Sequence, residues 1–152
     1  MKIEIYTDGG CRKLDSLHST GPGSWGYVML EDDSVVLEDS SYVHDTTNNR
    51  MELQAVTSAL KALLSIKSAD KLPMVTVNSD SMYVINGITV WIKNWKKKNF
   101  AKVKNVEFWK DLDSTVEKFN HNIKFVHVKG HNGNIWNEYV DEMCTQTIIN
   151  KK

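Results

Sequence analysis

Apolar residues along this chain first alternate with polar ones, then recur every three or four positions, then alternate again, and each switch marks a change of element. Ile3 and Ile5 alternate with polar neighbours over Lys2–Thr7 and run into Asp8-Gly9-Gly10, a strand entering a turn. The polar stretch Arg12–Gly23 reads as a loop that closes on Gly21-Pro22-Gly23. Trp25–Leu30 and Ser34–Val43 predict two further strands joined through Glu31-Asp32-Asp33, so the chain opens as a three-stranded antiparallel meander. There the period changes. Glu52, Val56, Ala59, Leu60 and Leu63 share one helical face behind a cap at Thr47 or Asn48.

Met74–Asn78, after Pro73, is a short apolar strand that ends at Ser79-Asp80. Ser81–Asn86 is helical and Gly87 is expected to break it. Ile88–Trp95 and Val106–Phe119 predict helices on either side of a lysine-rich connection. Asn122–Val128 alternates as a final strand, and Asn134–Ile149 closes as a helix with Trp136, Val140, Met143, Cys144 and Ile148 on its apolar side. This order predicts an α/β fold, a mixed sheet flanked by helices, in one domain over residues 1–152.

Composition narrows the class without naming a partner. A chain of 152 residues, 41% hydrophobic, can bury a core without disulfides. Its 19 basic and 19 acidic residues cancel, so any affinity for polyanions must come from how charge is distributed. Cys11 and Cys144 show neither CxxC spacing nor a neighbouring histidine pair, and they read as reduced thiols of an intracellular protein. MKIEIYTDGG lacks a signal-peptide core and no run approaches about 18 apolar residues, so a cytoplasmic protein without a membrane partner is expected.

The acidic residues carry the chemistry. Asp8 and Asp80 each follow a predicted strand, where α/β sheets commonly build their sites. Glu52 lies on the sheet-facing stripe of its helix, a costly place for a carboxylate unless it is paired or holds a cation. Asp141 flanks the apolar stripe of the last helix, one turn before Cys144. Each has a plainer explanation, Asp8 as a turn residue and Asp80 as a helix cap. Hard divalent cations take oxygen ligands, however, and phosphoryl transfer is served by two of them about 4 Å apart. Four carboxylates from four elements could supply such a site.

Four segments together resemble the type 1 ribonuclease H family: Tyr6-Thr7-Asp8-Gly9-Gly10, Thr46-Thr47-Asn48-Asn49-Arg50-Met51-Glu52-Leu53, Asn78-Ser79-Asp80-Ser81-Met82-Tyr83-Val84, and Val128-Lys129-Gly130-His131 with Asn137-Glu138 and Asp141. The resemblance covers nearly the whole chain. It implies the ribonuclease H-like fold, a five-stranded mixed sheet whose first three strands are antiparallel. It also implies an endonuclease that hydrolyses the RNA strand of RNA–DNA hybrids and leaves 5′-phosphate and 3′-hydroxyl ends. Asp8, Glu52, Asp80 and Asp141 would hold two Mg2+ ions, with Mn2+ as a possible substitute. His131 matches the family's mobile loop histidine, whose ordinary pKa suits proton transfer near neutrality.

Substrate contacts follow from the same resemblance. Asn48 and Asn49 match residues that touch the two strands in the minor groove, and their amides both donate and accept; Asn48 could equally cap its helix. Trp91 matches an aromatic that packs on deoxyribose, and Thr47 with Asn105 a pocket for a DNA phosphate. Between Ser81 and Val106 there is no acidic residue, while Lys93, Lys96, Lys97 and Lys98 interleave with Trp91 and Trp95. A one-signed block of this kind suits a phosphate backbone and resembles the family's basic protrusion. Three features depart from the pattern: Met82 stands in place of a hydrogen-bonding glutamine, Asp45 in place of an arginine near the phosphate pocket, and the first loop is long. A monomer is expected. Rival readings are a junction-resolving nuclease or transposase core of the same broad fold, which would leave hybrids uncut, and a hybrid-binding module without catalysis.

Overall fold

The computed structural model describes residues 2–12, 20–129 and 134–150. Five strands, β1 (Ile3–Cys11), β2 (Gly21–Glu31), β3 (Ser34–Thr46), β4 (Val75–Ser79) and β5 (Ile123–His127), form one sheet in the order β3-β2-β1-β4-β5. β1 and β3 flank β2 antiparallel, whereas β1, β4 and β5 run parallel. The meander turns at Asp32 and Asp33, both with positive φ (50° and 70°), the conformation that matches hairpin twist in a two-residue turn. The helices are α1 (Asn48–Ile66), α2 (Met82–Asn86), α3 (Ile92–Lys97), α4 (Val106–Glu117) and α5 (Ile135–Asn150).

The alternation in β1 sorts its side chains between two layers. Ile3 and Ile5 join Met29, Val75 and Val77 in the main core, against Val56, Leu60 and Leu63 of α1. On the opposite face, Val28 and Leu30 meet Val140 and Cys144 of α5, with Tyr6 and Trp136 at the margin. β2 is therefore covered on both sides. That is why Tyr27–Leu30 is a continuous apolar run, where a half-exposed strand would alternate.

Three expectations need correction. β1 continues to Cys11 and β2 begins at Gly21, so Gly9, Gly10 and Gly21-Pro22-Gly23 belong to strands; residues 13–19 of the expected loop lie outside the described residues. Their glycines serve close approach. A Cβ on Gly9 would lie 2.4 Å from the Met51 carbonyl carbon, and one on Gly23 would lie 2.5 Å from the Gly10 oxygen. The third correction is Gly87. It does not end a helix: its backbone is helical, and a π-turn over Gly87–Trp91 joins α2 to α3. A Cβ at Gly87 would fall 1.9 Å from Cη2 of Trp109, so glycine is required for room.

Candidate active site

Three elements deliver carboxylates to one spot. β1 and β4 are adjacent and parallel with Thr7 paired to Ser79, so the next residues, Asp8 and Asp80, emerge side by side. Gly9 lets the first turn of α1 press on β1, which brings Glu52 up beside them. An oxygen from each of Asp8, Glu52 and Asp80 lies within 4.8 Å of the others. Asp8 and Glu52 are buried, and Asp80 is partly so.

Little protein chemistry compensates these charges. Asp8 accepts one bond from the Gly9 amide at 2.9 Å. Glu52 Oε1 and Asp80 Oδ1 are buried without a partner among the described residues. Such groups are expensive to leave unsatisfied. Burial, then the Asp80 charge, then a hydrogen bond with Asp141 push the Asp8 pKa up to about 8. Burial and the charges of Asp8 and Asp80 raise Glu52 well above the ordinary carboxylate range. Orphaned oxygens in an all-oxygen donor set fit a hard divalent cation, which would relieve both burdens together.

Asp141 stands at the edge of this group. It is exposed on α5 and lies outside the close trio, yet it interacts with Asp8 and lines a cleft of about 180 Å³ with Asp8, Gly10, Ser24 and Cys144. α5 is fixed there from below, since Ser24 Oγ donates to the Cys144 carbonyl at 2.8 Å and Cys144 Sγ to the Asp8 carbonyl at 3.5 Å. Burial pushes the Cys144 thiol up, which suits packing and not reactivity. His131 lies outside the described residues.

The residues expected to grip nucleic acid line a second zone. Thr47, not Asn48, caps α1: its hydroxyl accepts from the Arg50 amide at 3.2 Å. Asn48 Oδ1 instead accepts from the Cys11 amide at 2.7 Å, which ties the start of α1 to the end of β1. Asn49 is exposed. Asn105, in left-handed backbone before α4, accepts from Arg50 Nε at 3.0 Å and donates to the Tyr83 hydroxyl at 3.2 Å. Trp91 is 39% exposed and packs against Tyr83 and Trp95, ring centroids 6.2 and 5.9 Å apart.

Lys93, Lys97 and Lys98 are exposed, with no ion pair among the described residues. Lys96 differs, because its ammonium meets Asp113 at 3.1 Å and Glu117 at 2.6 Å. The block that lacks acids in sequence is thus partly neutralised in space, by α4. Met82 and Asp45 are both exposed. Arg50 and Tyr83 lie within the quoted motifs, with no role assigned to them there. Their signal was only their place in those motifs, since the contacts with Asn105 span 55 and 22 residues.

A family model for RNase H matches residues 1–149. A ribonuclease H of Hydrogenovibrio crunogenus is 44% identical over 153 residues, spanning 97% of this chain and 95% of the relative. One of Treponema denticola is 41% identical over 161 residues, spanning 96% of each. Among solved structures, LC11-RNase H1 in complex with an RNA/DNA hybrid is similar with a TM-score of 0.74 at 27% identity, over 98% of each chain. With a family model spanning nearly its whole length and relatives above 40% identical, the chain belongs to the ribonuclease H family.

Proposed function

We propose that this protein cuts the RNA strand of RNA–DNA hybrids, leaving 5′-phosphate and 3′-hydroxyl ends, at the centre made by Asp8, Glu52, Asp80 and Asp141. The observation that carries this reading is the trio of carboxylates within 4.8 Å whose Glu52 and Asp80 oxygens lack protein partners. Family membership supports it, as does a structural relative bound to an RNA/DNA hybrid.

Asp8, Glu52 and Asp80 would hold two divalent cations, magnesium or manganese as a substitute, with Asp141 completing the set from α5. When bound, the ions supply activation of water and stabilisation of the departing 3′ oxygen. The protein's own part is placement. The paired ends of β1 and β4 fix Asp8 and Asp80, and the glycine contact under α1 fixes Glu52. Preset carboxylates need no rearrangement at the moment of reaction. His131 would move a proton beside them.

Hybrid recognition is assigned to the second zone. Asn49, with Asn48 anchored at the end of β1, would face the minor groove, where 2′-hydroxyls mark the RNA strand. Trp91 would pack on deoxyribose, Thr47 and Asn105 would bind a DNA phosphate, and Lys93, Lys97 and Lys98 would follow the backbone. Lys96 has α4 carboxylates as its nearest partners and contributes less. Residues 1–152 act as one domain and as a monomer, in the cytoplasm; among the described residues no helix is long and apolar enough to cross a membrane. The test is a labelled hybrid incubated with and without magnesium, beside matching RNA and DNA duplexes. Cleavage of the hybrid's RNA strand alone, and only with the ion, is expected; cleavage of duplex or junction DNA with hybrids intact would favour the rival nucleases.

A further inference from the structure

The last helix carries more apolar surface than the core uses. Trp136, Val140 and Cys144 turn inward, towards Tyr6, Val28 and Leu30. Ile135, Tyr139 and Met143 are spaced four apart and so share another side of α5. There they line a groove of about 470 Å³ between α5 and Glu38 of β3. Met143, placed beside Cys144 by its spacing, belongs to this groove and not to the inner cluster. Ile135 is 75% exposed and Tyr139 is 40% exposed. Single apolar residues at a surface are ordinary, but a row of them in a concave site marks a place of interaction.

The border of the groove has one sign. Glu38, Glu138 and Glu142 flank the apolar row, all three are exposed, and among the described residues no lysine or arginine lines it. Glu38 accepts from the Tyr139 hydroxyl at 2.7 Å, which fixes that ring as a wall and leaves the carboxylate's charge without a cation. Such a border repels phosphates, so nucleic acid is a poor occupant. The groove is also separate from the acidic centre. Asp141, next in sequence to Glu142, lines the other cleft with Asp8. α5 packs on the sheet face opposite α1, whose first turn carries Asn48 and Asn49.

We propose that the groove between α5 and β3 is a docking site for a basic amphipathic segment of another protein. Apolar side chains of that segment cover Ile135, Tyr139 and Met143, and its lysines or arginines meet Glu38, Glu138 and Glu142. The mode is an amphipathic helix laid in an apolar groove, with charge complementarity selecting cationic partners and rejecting acidic ones. Because the hybrid is assigned to other surfaces, an occupant tethers the protein without displacing nucleic acid.

The probe is a labelled lysine–leucine amphipathic peptide, beside one control with glutamate for lysine and another with serine for leucine. Binding is followed by fluorescence anisotropy for wild type, Ile135→Ser and the double variant Glu38→Lys with Glu142→Lys, and melting temperatures are measured for each. The lysine–leucine peptide is expected to bind wild type with a Kd on the order of 10 μM, as suits a small transient contact. Both controls, and both variants, should bind at least about tenfold more weakly, with melting temperatures unchanged, since the replaced side chains are exposed. Added salt should weaken the wild-type complex, and Ile135→Ser should bind an RNA–DNA hybrid as wild type does. Peptide binding indifferent to the variants, equal binding of either control, or weakened hybrid binding in Ile135→Ser would overturn the proposal. So would a concentration-dependent dimer that Glu142→Lys abolishes, since the occupant would then be a second copy of this chain.

Discussion

At the scale of single residues, the carboxylate trio costs the fold stability and makes sense as a cation site. Asp8 has a pKa near 8 in the folded chain, against an ordinary 3.8. The folded protein thus keeps a proton that the unfolded chain releases above about pH 4. Stability linked to this group falls as pH rises from about 4 to about 8, then levels off. Without divalent ions, the melting temperature should fall across that interval. Adding magnesium should raise it by several degrees more at pH 8 than at pH 5, since only the ionised carboxylates bind the ion. Equal magnesium shifts at both pH values would count against the trio as its site. Asp8→Asn and Asp80→Asn should each lower cleavage at least about 100-fold, the equivalent of a few kcal/mol of transition-state stabilisation. Hybrid binding in both should be kept or tightened, because a charge that repels phosphate is gone. Retained cleavage in Asp80→Asn would remove it from the metal set.

At the scale of elements, the helical stripe around Glu52 and the alternation of β1 were legible because each buries one face against one neighbour. β2 was read only in part, since a strand covered on both sides loses alternation, and the glycines at its start resemble a loop. Gly87 shows the same limit. Local propensity marks glycine as a helix breaker, but the Trp109 ring that demands it lies far along the chain. Gly87→Ala should destabilise by about 3 kcal/mol through overpacking, seen as a lower urea midpoint at unchanged slope; a variant as stable as wild type would deny the close contact. The lysine segment was legible as a basic block, but the pairing of Lys96 with Asp113 and Glu117 was not. Replacing Lys97 and Lys98 by alanine should weaken hybrid binding and flatten its salt dependence. Lys96→Ala should affect binding less and cost stability at most about 1 kcal/mol, as surface pairs do. The reverse ranking would place Lys96 on the substrate.

At the scale of the whole molecule, sheet order and the packing of α1 bring carboxylates from three distant motifs together. Asp8, Glu52 and Asp80 are far apart in sequence, and no spacing rule brings them within 4.8 Å; the parallel β1–β4 pair and the glycine contact under α1 do so. What sequence supplied was their residue types and their positions at strand ends and on a buried helix face. Asp141, expected as the fourth carboxylate, is exposed on α5, outside the close trio, and interacts with Asp8. Beside this centre runs the network of Arg50, Asn105, Tyr83 and Trp109, which connects the start of α1 to the lysine-rich segment. The acidic centre proposed for cleavage and the basic, aromatic segment proposed for grip are joined in this way. The most direct test is the fate of a strand-labelled RNA–DNA hybrid with magnesium and with a chelator. Hydrolysis at the carboxylate centre predicts cuts in the RNA strand only, with magnesium only, and none in either duplex control. An intact hybrid with magnesium, or equal cutting under chelator, would contradict it.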